Sequence, residues 1–253
     1  MAFKSQRMVH ADGRMHHLGT LEGDVAPAML LTAGVEEVRD IAALLDNAGQ
    51  TGLYREYLTY KGEKDGAPVG VMSSGHGCMP MAIAVEELNH LGVKTLVKVG
   101  AGAAVISGIK PGTIIIPTAA VRGEGATKEY VGLEYPAVAD MALLDDVIDA
   151  AYDAGERPVC GIIRSHDSYY VENPVSQGAA EKNARWAQLG VLLTENEVSS
   201  MFVVAAILRL RAAAVYVVEE NLADGTALSE SELKERLDAC YRIALRAAIK
   251  SAR

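Results

Sequence analysis

Two acidic clusters stand at the ends of apolar runs, where a carboxylate either faces water or does chemistry. Thr194-Glu195-Asn196-Glu197 lies between an apolar stretch at 191–193 and another at 199–210. Glu219-Glu220-Asn221 follows the uninterrupted apolar stretch 213–218. Carboxylates at i and i+2 of an extended segment share one face, and such a pair at a strand end can accept the paired hydroxyls of a sugar. The first cluster equally suits a helix N-terminus, with Thr194 as cap and Glu197 at the third position. On the residues alone both readings stay open. Two adjacent acids after an apolar strand are costly unless they face solvent or a site.

Segment 71–105 supplies a place for such groups. One apolar run stops at Ser73-Ser74-Gly75-His76-Gly77, a helix-patterned segment follows, and a second apolar run stops at Gly100-Ala101-Gly102. Two strands that each end in a glycine turn put two backbone-lined pockets at one edge of a parallel sheet. Ligands of open α/β sheets bind outside the carboxyl ends of the strands, and glycine lets backbone N–H groups approach an anion or a sugar closely. His76, in the SGHG turn, suits backbone bonding as well as ligand contact. Cys78 has no sequence-adjacent base to activate it. No His/Cys/Asp set has metal-ligand spacing.

The elements that must hold these groups alternate. Apolar strands are expected at 28–32, 69–73, 95–99, 113–117, 159–163, 191–193 and 213–218, with an alternating antiparallel strand at 54–61. Helices are expected at 36–45, 81–91, 141–154 (ended by Gly155), 199–210 and 228–251. Residues 164–186 read as a long polar loop. This order predicts an α/β layered domain with a largely parallel sheet, one domain over residues 1–253.

Composition narrows the partners. The 253 residues carry 24 basic and 33 acidic side chains, a net charge of −9, which argues against nucleic acid as a partner. An anionic substrate would need a local cluster of positive charge. Cys78, Cys160 and Cys240 are scattered, which suits reduced thiols and a cytoplasmic location. No apolar run reaches the roughly 18 residues of a membrane helix, and residues 1–19 lack a signal-peptide core, so no membrane association is expected.

Several ordered blocks then carry a resemblance. AIAVEELNHLGVKTLVKVGAGAAV, REY at 55–57, YPAVAD at 135–140, SHDSYY at 165–170 and ENE at 195–197 resemble the nucleoside phosphorylases, most of all the hexameric purine nucleoside and uridine phosphorylases. The likeness runs from His17 to about Asn221. It implies an α/β fold with a central mixed, twisted, mostly parallel sheet flanked by helices. It also implies cleavage of a nucleoside N-glycosidic bond with phosphate as nucleophile and cosubstrate, without another cofactor. The chain would be a homo-oligomer, a dimer or trimer of dimers, with residues 1–20 as an arm at a neighbouring subunit.

The resemblance assigns residues in turn. Glu197 matches the glutamate that grips the ribose hydroxyls, and Asn196 stands where the family has a methionine under the sugar. His17 matches a histidine lent to the neighbour's site near the ribose 5′-hydroxyl. Tyr169 matches an aromatic residue lining the base and ribose pocket, with Gly102 and Glu195 beside the base. Glu220 falls where purine-cleaving members have an aspartate that protonates the base. Carboxylates near the sugar stabilise an oxocarbenium-like transition state. The uridine-cleaving members use a glutamine and an arginine after the aromatic pair; residues 171–177, VENPVSQ, hold no arginine.

The phosphate site departs from the pattern. The family carries G-D-P-x-R-V; here the stretch reads Ala33-Gly34-Val35-Glu36-Glu37-Val38. Gly34 keeps its backbone, but the phosphate-gripping arginine is Glu37. A second arginine is Lys98, which keeps the charge and loses the fork, and a hydroxyl residue is Ala101. Arg55, reached from the partner subunit, matches, and Gly75 lies beside the phosphate position. Arg39 substitutes for the missing arginine if the helix starts differently. A carboxylate about 4 Å from phosphate costs on the order of 4 kcal/mol at an effective dielectric near 20. TAGVEEV also resembles the GAMEEEV of the methylthioadenosine/S-adenosylhomocysteine nucleosidases, where the glutamate activates water. Phosphorolysis is therefore the first expectation, hydrolysis with Glu37 as base the second, and nucleoside binding without turnover the third.

Overall fold

A computed structural model describes residues 6–170 and 177–252 of the chain. Strands β1 (Ala28–Thr32), β4 (Ala67–Ser73), β5 (Thr95–Ala104) and β10 (Arg211–Asn221) form its parallel centre, with β1 bonded to β4 and β5, and β5 to β10. β6 (Ile114–Gly123), β8 (Val159–His166) and β9 (Leu193–Glu195) continue the sheet in parallel ladders. Antiparallel pairings of β10 with β6 and of β5 with β9 then bring this path back onto itself. β2 (Asp46–Tyr54) and β3 (Tyr57–Lys64) extend the other edge as an antiparallel hairpin, and β7 (Ala137–Val138) and β11 (Thr226–Ala227) are short additions. The sheet is mixed, as the resemblance implies.

Period-two alternation assigns each strand's side chains to two cores. In β10, Ala212, Ala214, Tyr216 and Val218 face one cluster, and Ala213, Val215 and Val217 face the other. The first core is covered by α2 (Cys78–His90) and α5 (Val198–Leu208), the second by α1 (Val35–Ala42), α3 (Met141–Asp153) and α6 (Glu230–Ala252). α4 (Ala179–Gln188) carries a single polar face outward and buries only Ala179 and Asn183.

The structure corrects several expected boundaries. The strand expected at 54–61 is two strands, with Arg55 at φ +54° in the turn between them. β2 escapes an apolar criterion because its residues, DNAGQTGLY, are mostly exposed. β8 takes residues 164–166 out of the expected loop, and α4 takes it over from Ala179; residues 171–176 lie outside the described ones.

The largest correction concerns Gly100-Ala101-Gly102, which is not a turn. β5 continues through all three to Ala104 because β10 and β9 supply its ladder bonds there. The glycines serve close approach instead. A Cβ on Gly102 would lie 2.9 Å from the Thr194 carbonyl oxygen and 2.6 Å from Leu193 Cδ2, and one on Gly100 would lie 3.1 Å from the Tyr216 ring. Gly102→Ala is expected to push β9 away and destabilise the protein by about 1–3 kcal/mol. An unchanged urea midpoint would show that β9 is not held this tightly.

Candidate active site

Three strand ends and two helix starts converge on one cavity of about 270 Å³, near the lower end of small-molecule sites. Its walls include Lys98, Ala101 and Gly102 of β5, Glu195 of β9, Asn196 and Glu197 ahead of α5, and Glu219 and Glu220 of β10. Glu37 of α1, His76, His166 and Tyr169 complete the polar lining. Nine of the residues expected from sequence therefore meet in one place.

Glu197 is the N-cap residue of α5, the place that the capping pattern gives to Thr194, so the helix starts three residues later than expected. Its Oε1 accepts the Gly77 N–H at 3.0 Å, and its Oε2 lies 3.7 Å from Lys98 Nζ. Gly77 has φ +100°, a conformation that favours glycine and turns that N–H toward the carboxylate. Lys98 is 1% exposed, so its charge is held in place by the glutamate rather than by water. It is the sole lysine or arginine among the described residues lining the cavity.

Glu195 lies behind Glu197 and acts on the backbone. It accepts the N–H groups of Glu197 at 2.7 Å and Val198 at 3.0 Å, the Tyr216 hydroxyl at 2.8 Å, and the Ser165 hydroxyl. The i and i+2 carboxylates thus divide the work: Glu195 caps the helix that presents Glu197. Burial, and then the charge of Glu197, push the Glu195 carboxyl up to about 7, against the pull of the Ser165, Glu197 and Tyr216 donors. Asn196 is buried, and its Nδ2 donates to the His166 carbonyl, which fixes the amide against the cavity wall.

Some assigned residues stand elsewhere. Gly34 is the cap of α1, and its N–H is taken by Glu37 Oε2 at 2.7 Å, so it does not offer an anion a free donor. Gly75 makes its turn at φ +71°, packed against Glu56 and Pro80, while its neighbour His76 enters the cavity wall. Arg39 is exposed beside Glu36, 3.9 Å away, and is no substitute for the missing arginine. Asp167 accepts the Gly125 N–H at 2.8 Å, as a capping residue does.

His17 and Arg55 are not among the residues lining this chain's own cavity. Arg55 lies over the Tyr54 ring at 5.5 Å. His17 is held by Glu87, a buried carboxylate of α2 that accepts its Nδ1 at 2.8 Å, its N–H at 3.0 Å, and the Leu18 N–H at 2.8 Å. Cys78 is buried 3.7 Å from Ser199 Oγ, and burial, with Glu195 and Glu124 nearby, raises its thiol far above the neutral range. It is a packing residue.

The sequence alone gives no role to Tyr216, Ser165 or Glu87. Tyr216 had a visible signal, a hydroxyl within the apolar run AVYVV. A buried hydroxyl of that kind needs a partner, and Glu195 is that partner. Glu87 hid within a helix-patterned run, where a carboxylate is usually read as an exposed face. Among the described residues there is no group of three or more His, Cys, Asp or Glu suited to a metal ion, and no helix long and apolar enough to cross a membrane.

Known proteins resemble this chain over most of its length. Uridine phosphorylase of Thermococcus kodakarensis is 38% identical over 224 residues, 86% of this chain and 81% of that protein. Guanosine phosphorylase of Halorubrum lacusprofundi is 34% identical, covering 91% of this chain and 96% of that protein. The crystal structure of uridine phosphorylase from Vibrio fischeri superposes with a TM-score of 0.84 at 27% identity, across 96% of this chain and 98% of that one. Residues 27–251 match the profile of the phosphorylase superfamily, and the chain belongs to that superfamily.

Proposed function

We propose that the cavity cleaves the N-glycosidic bond of a nucleoside by phosphorolysis, giving free base and ribose 1-phosphate. One observation carries this reading: an acceptor for sugar hydroxyls, Glu197, stands 3.7 Å from a buried cation, Lys98, in the same cavity. Glu197 binds the ribose hydroxyls and stabilises the positive charge that develops as the base departs. Asn196 adds an amide beneath the sugar, and Lys98 draws the phosphate dianion to the face opposite the leaving base. Tyr169 covers the base, with Gly102 and Glu195 on that side, and Glu220 supplies a proton to it. Ala101 leaves room for phosphate without a hydroxyl contact. No metal or organic cofactor enters the scheme.

The relatives' names, uridine and guanosine phosphorylase, support this reading. We further propose that His17 and Arg55 complete the cavity of a second copy, at the ribose 5′-hydroxyl and the phosphate, in a homo-oligomer. The setting proposed is the cytoplasm, which suits its three unpaired cysteines. The test is phosphate dependence. Ribose 1-phosphate should form from a nucleoside panel only when phosphate is present.

A specific observation favours a second reading. Glu37 lines the cavity where an anion would sit, and Lys98 is the sole described lysine or arginine there. Such a site could instead use Glu37 to take a proton from water, worth roughly 10²–10⁴ in rate. Free ribose released in phosphate-free buffer would select hydrolysis over phosphorolysis.

A further inference from the structure

Consecutive residues of a regular strand point to opposite faces, yet Glu219 and Glu220 both line the cavity. The cause is a bulge in β10. Val218 pairs with Gly102 and Glu220 with Ala103, so Glu219 is an extra residue with no partner in β5. Bulges of this kind re-aim side chains, often beside active sites. Here the bulge turns two carboxylates into one space.

The neighbouring Asn221 shows what a purely structural residue looks like at this strand end. Its amide donates to the Ile106 and Ile109 carbonyls, and its oxygen accepts the Ala223 and Asp224 N–H groups. Neither Glu219 nor Glu220 is used in this way. Among the described residues, none hydrogen-bonds or pairs with their carboxylates. Both bear on Tyr169, whose phenol is held up by burial and then by their charges. That ring, 55% exposed, stands edge-on to His76 at 6.2 Å. The combination is a flat aromatic surface beside two unspent acceptors.

A carboxylate accepts hydrogen bonds, so the group it reads must present N–H donors. Uracil offers one N–H between two carbonyl oxygens, which would face the carboxylates. Hypoxanthine offers a single N–H. Guanine places N1–H and the 2-amino group side by side, matching both oxygens of one carboxylate as an arginine fork does. With Glu220 as the acid that protonates the leaving base, Glu219 is the carboxylate whose two oxygens accept the N1–H and 2-amino donors.

We propose that Glu219 and Glu220 determine the base: the cavity takes 2-amino-6-oxopurine nucleosides in preference to uracil nucleosides. This rests on the nucleoside reading of the cavity. A site built to pair with a donor discriminates strongly against analogues that lack it. In phosphate buffer, guanosine should exceed inosine in kcat/KM by about 10-fold and uridine by about 100-fold. Glu219→Gln and Glu220→Gln retain shape, and at least one should bring guanosine to within about 3-fold of inosine.

Inosine equal to guanosine, or uridine ahead of both, would overturn the base assignment and leave the nucleoside reading intact. Without turnover, calorimetric titration decides: guanosine at least about 10-fold tighter than uridine upholds the assignment, and equal affinity overturns it. Failure of every nucleoside to bind or react would remove both.

Discussion

Lys98→Met is expected to lower phosphorolysis by about 10²- to 10³-fold and to lower the melting temperature as well. The first effect follows from electrostatics: one fixed cation aimed at a reacting anion is worth roughly 10²–10³ in rate, and no other lysine or arginine among the described residues lines the cavity. The second follows from burial. Glu197 would lose its partner at 3.7 Å while Glu195 stays bonded to its backbone N–H. Removing one member of a buried ion pair costs about 3–5 kcal/mol, and protonation of a carboxylate would offset part of it. Lys98→Arg should restore most of the stability. Calorimetric melting and product formation check the two effects separately, and a Lys98→Met protein with wild-type values for both would contradict the assigned role.

Glu37→Gln is expected to lower the KM for phosphate by about 10- to 100-fold. Glutamine retains an oxygen for the Gly34 N–H, which Glu37 accepts at 2.7 Å, so the start of α1 keeps its cap. Only the charge is lost, and that charge opposes a phosphate about 4 Å away by up to roughly 4 kcal/mol. Glu37→Arg should go further and add an attraction. Initial rates across a phosphate series measure this. A KM that stays the same would place the phosphate beyond the reach of Glu37. If the wild-type enzyme hydrolyses without phosphate and Glu37→Gln does not, the carboxylate is the base.

Single residues show how far the sequence could be read. Glu197, Asn196, Glu195 and Glu220 were legible because each follows an apolar strand, where an acid or amide has few places to go. The pairing of Lys98 with Glu197 was not: the two are far apart in sequence, and only the shared edge of β5 and β9 joins them. Gly102 stands out in the sequence for a reason other than its role in the fold. A glycine reads as a turn when the chain is seen alone, and as a close contact once β9 lies against it. β2 carries no apolar signal because edge strands need no apolar face, and its polar residues are consistent with protection of an edge. The bulge at Glu219 has no signature at all, since it depends on the register of β10 against β5. The family resemblance supplied roles, while the partners that hold each side chain came from packing.

The Glu87 clamp has a consequence for how copies would come together. Leu18 is wholly buried, and the segment carrying His17 is already fastened to α2 by three donors on one carboxylate. Arg14 bonds the Gly19 carbonyl at 2.8 Å within the same segment. Residues 14–19 are thus ordered on their own subunit before any encounter. Two copies meeting in the proposed oligomer would join finished surfaces, with little chain entropy left to lose. Their association should be rate-limited by orientation, in the range of about 10⁵–10⁷ M⁻¹s⁻¹, rather than by folding of the arm.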